Sequence, residues 1–169
     1  MINGKLDLDK KFDHLSKIDL TPAVKTGIMI VQEAAKSGCP VHDGELREKI
    51  MTDVEDRDDI VRGFCWPAVE HGVYVELGTG PRGQENHEGI SLDIAVAYTQ
   101  SPWWIHESQI DKETAEQYHW FYIDTSSGRF YQCAGQPAQP YLYPALKDNE
   151  EGIVSEISKI LRKEIRKQI

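Results

Sequence analysis

The stretch HWFYIDTSSGRFYQC, residues 119–133, decides how the chain is read. Two short runs rich in aromatic and β-branched residues, His119 to Asp124 and Arg129 to Cys133, flank Thr125-Ser126-Ser127-Gly128, a loop of turn formers. That pattern predicts a β-hairpin. Working outward, Ile60 to Trp66 and Val73 to Leu77 are similar short runs with Pro67 and Gly72 between them, and they read as two more strands joined as a hairpin or meander. Towards both ends the period changes. In residues 21–38, Val24, Ile28, Val31 and Ala35 recur at helical spacing after Thr21 as a cap and Pro22 at the first position, and Gly38 and Pro40 stop the helix. Leu8, Phe12 and Leu15 place a further helical segment at 8–18. Asp43 is placed to cap a short helix through Leu46, Arg47 and Ile50. Ile153, Ile157, Ile160, Leu161 and Ile165 share one face of a last helix whose end carries Lys159, Arg162, Lys163, Arg166 and Lys167, charges that complement its dipole.

Helix, strands, helix in that order imply an α+β fold, with an antiparallel sheet of about four to five strands packed against the long helix of the N-terminal half and the C-terminal amphipathic helix. The 169 residues fit one domain, 1–169, containing a long connection at 80–118 rich in Gly, Pro, Gln and His near its start. Within it, Leu92 to Tyr98 is ambiguous and Lys112 to Tyr118 reads as a short helix. Such a connection is more often functional, or ordered by a partner, than idle.

Composition narrows the function. Hydrophobic residues make up 40 % of the chain and aromatics 9 %, too much apolar material for a disordered protein. A net charge of −9 disfavours general binding to nucleic acid or anionic membrane. The start, MINGKLDLDKKFDHL, lacks the apolar run of a signal peptide, and no stretch approaches a membrane span. Cys39, Cys65 and Cys133 have no metal-ligand spacing and read as reduced thiols, with Cys65 beside Trp66 as a core thiol.

Gly78-Thr79-Gly80-Pro81-Arg82-Gly83 matches GxGxxG, but no apolar helical pattern follows and Glu85 and Glu88 would repel a pyrophosphate, so no nucleotide cofactor is expected. The six histidines lie in unlike segments without HExxH, and no nucleophile elbow occurs; neither a metal nor a catalytic residue is assigned. Asp53, Glu55, Asp56, Asp58 and Asp59 lack the central Gly and terminal Glu of an EF-hand and read as a solvated turn or edge. Trp103 and Trp104 either dock on the domain's own sheet or anchor a partner.

Three islands resemble one family. Ala34-Ala35-Lys36 with Cys39-Pro40-Val41-His42-Asp43-Gly44-Glu45-Leu46-Arg47 resembles the "AK…PVxTGxLRxSI" stretch of the tail-completion, or head–tail joining, proteins of long-tailed bacteriophages. Tyr74 to Gly80 (YVELGTG) resembles their "YxxxVExGTG" strand, and Gln136 to Leu146 (QPAQPYLYPAL) resembles their "QPARPFLxPAL" ending. Asp43, Lys49 and Tyr141 depart from the pattern at single positions. The resemblance marks Pro40, Gly44, Leu46, Arg47, Gly78, Pro140 and Pro144 as its structural residues. Read physically, Glu76 points to the exposed face of an edge strand, and Pro140 and Pro144 make a stiff extended entry to the last helix.

The resemblance implies a non-enzymatic structural protein of a phage or prophage neck. Its copies would form a ring, hexameric by the resemblance, through unlike surfaces, between the connector (adaptor) and tail tube proteins. It would have no cofactor, no membrane contact and no specific nucleic-acid binding. It would assemble in the host bacterial cytoplasm and end at the virion neck. Glu76, Thr79, Arg82, Trp103 and Trp104 are its candidate assembly-interface residues. The rival readings are a small cytoplasmic hydrolase using the histidines at 87, 106 and 119, and a prophage-encoded regulator that binds a host protein.

Overall fold

The computed structural model describes residues 15, 18–42, 44–117 and 119–168. The fold is α+β, as expected, with a long helix in the N-terminal half, a C-terminal helix and, among the described residues, five antiparallel strands. These strands belong to two sheets, and the chain divides into two compact units: one formed up to Val69 together with Tyr141–Ile169, the other Glu70–Pro140. Most of the helix expected at 8–18, and the Asp43 cap, lie outside the described residues.

In the first unit, α1 spans Thr21–Gly38. Thr21 is the first helical residue rather than the cap; Leu20 holds the N-cap position without a side-chain bond, and the Asp19 carboxylate before it accepts the Thr21 N–H at 2.8 Å, bonding that holds its pKa below the ordinary value. The buried face of α1 is Ala23, Gly27, Val31 and Ala35, all small or β-branched, which lets neighbours approach closely. Gly44, with φ +91°, leads into α2 (Glu45–Glu48), whose Leu46 is buried.

Ile50, read as helical, instead begins strand β1 (Ile50–Arg57). Charge hid this strand: its inward residues Ile50, Thr52 and Val54 alternate with outward Met51, Asp53 and Glu55. Strand β2 (Ile60–Pro67) pairs with it from Ile50↔Pro67 to Arg57↔Ile60. The two-residue turn Asp58-Asp59 has φ +56° and +60°, the conformation that matches the twist of a tight hairpin. The Ile60 run therefore pairs backwards, not forwards with Val73–Leu77, and the acidic cluster forms an exposed strand and turn. One face of the hairpin lies on α1, where a Cβ on Gly63 would come within 3.0 Å of Ile28 Cβ. Helices α5 (Leu142–Lys147) and α6 (Glu150–Gln168) also pack on α1, the latter bringing Ile153 and Ile157 against Gly27. Pro144 lies inside the first turn of α5, where a missing N–H costs nothing, so the extended entry expected up to Pro144 ends by Tyr141.

In the second unit, His71–Leu77 is a helix, α3, where a strand was expected. Its buried positions Gly72 and Glu76 are four apart, and Gly78 ends it at φ +76°. Tertiary packing here overrides the β preference of Val73, Tyr74 and Val75. The hairpin read from residues 119–133 is present as β4 and β5, which from here follow a preceding strand. That strand is β3 (Trp103–His106), and after helix α4 (Lys112–Gln117) come β4 (Tyr122–Thr125) and β5 (Gly128–Cys133). The sheet order is β3-β5-β4, with Trp103↔Cys133 and Tyr122↔Tyr131 among its pairs.

Candidate assembly interface

The chain from α3 into the loop Gly78–Gly83 is bound to the segment after β5. Thr79 and Gln136 form an antiparallel bridge, with Thr79 N–H donating to Gln136 O at 2.9 Å and Gln136 N–H donating back to Thr79 O at 3.1 Å. Gln139 N–H donates to Val75 O at 2.8 Å, and the Gln136 side-chain amide donates to Tyr74 O at 3.0 Å. Backbones approach so closely that a Cβ on Gly135, at φ +78°, would sit 1.9 Å from Thr79 O. Two of the three quoted islands, Tyr74–Gly80 and the start of Gln136–Leu146, are thus laced together. The first island, with Pro40, Gly44, Leu46 and Arg47, lies in the other unit, as does Pro144.

This lacing also settles how the glycine loop uses its amides. Gly78 N–H donates to Tyr74 O, Thr79 N–H to Gln136 O, Arg82 N–H to Ala134 O and Gly83 N–H to Gly80 O. The loop follows a helix, not a strand, and turns into a single 3₁₀ turn, Gly80–Arg82. These four N–H groups are spent on protein carbonyls, where a phosphate cradle would leave them free.

Of the expected interface residues, Glu76 is corrected most sharply. It is 7 % exposed and faces the interior of its unit from α3, not outward from an edge strand. Thr79 is half-buried in its bridge with Gln136. Arg82 is exposed and pairs with Glu85 at 3.3 Å. Trp103 and Trp104 are consecutive on β3 and so point to opposite faces of the sheet, docking by their backbone while each ring stays partly exposed.

The face of Trp103 adjoins a groove of about 420 Å³ around Gly80, lined mainly by Val73, Tyr74, Leu77, Val96, Tyr98 and Trp103. Tyr98 was not singled out from the sequence. Its hydroxyl donates to Leu77 O and receives His87 Nε2–H, each at 2.5 Å, so it ties the irregular segment after Ile90 to the end of α3. Burial raises its pKa. The opposite sheet face carries Trp104 against Phe121, with ring centroids 6.1 Å apart, and His106 edge-on to Phe130 at 5.0 Å.

His106 is committed locally. Its Nδ1 accepts the Ser108 hydroxyl at 2.8 Å and the Ser108 N–H at 3.2 Å, and its Nε2–H donates to Ser127 O at 3.0 Å. Together with Glu107, which accepts Arg129 N–H at 2.9 Å, it fastens the β4–β5 turn. Burial pushes the Cys39 and Cys65 thiols up, away from the thiolate form that reacts or binds metal. Among the described residues no group of three or more His, Cys, Asp or Glu is placed to hold a metal, and no helix is long and apolar enough to cross a membrane.

The chain matches no protein-family model, and neither the curated proteins nor the solved structures contain a match to it.

Proposed function

We propose that this chain is a structural, non-enzymatic head–tail joining protein of a phage or prophage neck, assembled as a ring, six-membered by the resemblance, between connector and tail tube proteins. It would act in the host bacterial cytoplasm and at the virion neck. The observation that carries this reading is the lacing of Thr79 to Gln136 and Val75 to Gln139. Two islands, separated by more than fifty residues and similar to one family, form one piece of structure, which supports a shared scaffold over chance likeness of short words. The connection between them presents exposed apolar side chains: Leu92 is fully exposed and Ile94 is half-exposed in a segment without regular structure. Exposed apolar side chains in such a loop suit anchoring to a partner.

Immunogold labelling of virions with an antibody against this chain is expected to mark the junction of head and tail. Label elsewhere, or none on intact virions, would overturn the reading. Among the described residues, the Ser108 hydroxyl on His106 is the contact that favours the hydrolase alternative. Since both ring nitrogens of His106 are occupied, His106→Ala is expected to loosen the β4–β5 turn and change no catalysis. Loss of a hydrolytic activity from a folded His106→Ala protein would decide for the enzyme.

A further inference from the structure

The first unit carries two exposed surfaces of opposite character. The outer face of the β1–β2 hairpin presents Met51, Phe64 and Trp66, each 41–45 % exposed, with Met51 and Trp66 directly paired across the strands. Beyond them, residues 53–62 hold five acids and two arginines, a net charge of −3, with Arg62 opposite Glu55 and the acids concentrated towards the Asp58-Asp59 tip. Helix α6 presents the reverse. Val154 and Ile165, eleven residues apart, lie on one side of it and are 58 % and 37 % exposed, with the exposed Arg162 and Arg166 flanking that side. Residues 159–168 hold five cations and one acid, a net charge of +4.

These charges are not used on each other within the subunit. Hairpin and helix both rest on α1, yet no ion pair among the described residues joins them. Lys159 and Lys167 pair with Glu156 and Glu164 on their own helix, and Arg57 with Glu55 and Asp58 on its own hairpin. Asp53 on the outer face and Asp59 at the hairpin tip, and Arg162 and Arg166 beside the Val154 side of the helix, have no ion-pair partner among the described residues. The two surfaces also match in reach. An eight-residue ribbon at about 3.4 Å per residue is about 27 Å long. A nineteen-residue helix at about 1.5 Å per residue is about 28 Å long.

We infer that the outer face of the β1–β2 hairpin is the docking site for helix α6 of a second copy of this chain. Apolar stripe meets apolar stripe, and the acidic tip meets the basic end of the helix. Because the two surfaces differ, the contact is head-to-tail, and repeating it gives a ring if the rotation closes and a filament if it does not. The inference rests on the ring reading for its biological setting, but its chemistry stands apart from the phage assignment.

The test is sedimentation of the full chain at up to about 0.5 mM, in about 50 mM and about 500 mM salt, conditions that differ several-fold in charge screening. Association at low salt, weakened at least about tenfold at high salt, is expected. Asp53→Lys with Glu55→Lys, both on the outer face, should yield monomers, and so should Arg162→Glu with Arg166→Glu. Mixing those two proteins, or joining all four substitutions in one chain, should restore association, which also shows that the variants are folded. A chain that stays monomeric at low salt, reversals without effect, or reversals that no combination rescues would overturn the inference. Self-association rescued in this way, from a protein absent from virions, would retain the contact and discard the neck reading.

Discussion

At the scale of single residues, three positions have roles that place in the chain alone would not suggest. Glu76 is a buried acid on a helix that looks like a strand, so Glu76→Lys is expected to act on folding before assembly. A loss of about 2 kcal/mol or more in stability, read by urea denaturation, would agree. Normal stability with failed assembly would return Glu76 to the surface. Gly135 meets the Thr79 carbonyl with no room for a methyl group, and its φ is one that L residues resist. Gly135→Ala should therefore cost about 3 kcal/mol or more and uncouple the two laced segments. Asp124 receives the Arg129 guanidinium at 2.7 Å and is held below the usual carboxylate range by that bond, while Arg129 is raised. A depressed pKa in the folded state stabilises above the unfolded value, about 3.9, and the benefit disappears as pH falls through the folded value. Asp124→Asn should thus melt below the parent protein at neutral pH, with the gap closing on acidification; a gap that widens in acid would contradict the assignment.

At the scale of elements, the two glycines that bring neighbours onto α1 should respond differently to a methyl group. A Cβ at Gly27 meets the flexible end of Ile157 at 3.0 Å, so Gly27→Ala should be nearly neutral: the gain in helix propensity, about 1 kcal/mol, offsets the crowding. A Cβ at Gly63 meets Ile28 Cβ, which is fixed to the helix backbone, and Gly63→Ala should cost about 1–3 kcal/mol. Equal effects in thermal melts would contradict this. The same contrast explains what could be read from the sequence. Helix α1, helix α6 and the 119–133 hairpin repeat apolar residues at a regular period between good stop signals, and local patterning fixes them. The α3 helix is written in β-preferring residues and exists because Gly72 and Glu76 pack inward. In β1, acids on the outer positions masked a period of two. The strand Trp103–His106 of the second sheet is only four residues long, too short to show a period, and is ordered by pairing with β5. Of the candidate site, Gly78, Thr79 and Trp103 were legible as special residues. Their meeting with Gln136 and Tyr98 was not, because it depends on contacts made across twenty to sixty residues.

At the scale of the whole molecule, a chain with net charge −9 carries one concentrated basic element, the end of α6, and one concentrated acidic one, the β1–β2 tip. That distribution suits contacts between copies better than contact with DNA. The exposed Leu92 and Ile94 belong at this scale too: replacing both with Ser should leave melting unchanged yet lower the yield of joined particles, and unchanged yield would take the connection out of assembly. The most direct test of the head–tail assignment is electron microscopy of lysates from a phage lacking this chain, before and after purified protein is added. The account predicts filled heads and free tails that join on addition. Intact virions without the chain, or heads and tails that stay apart after it is supplied, would contradict it.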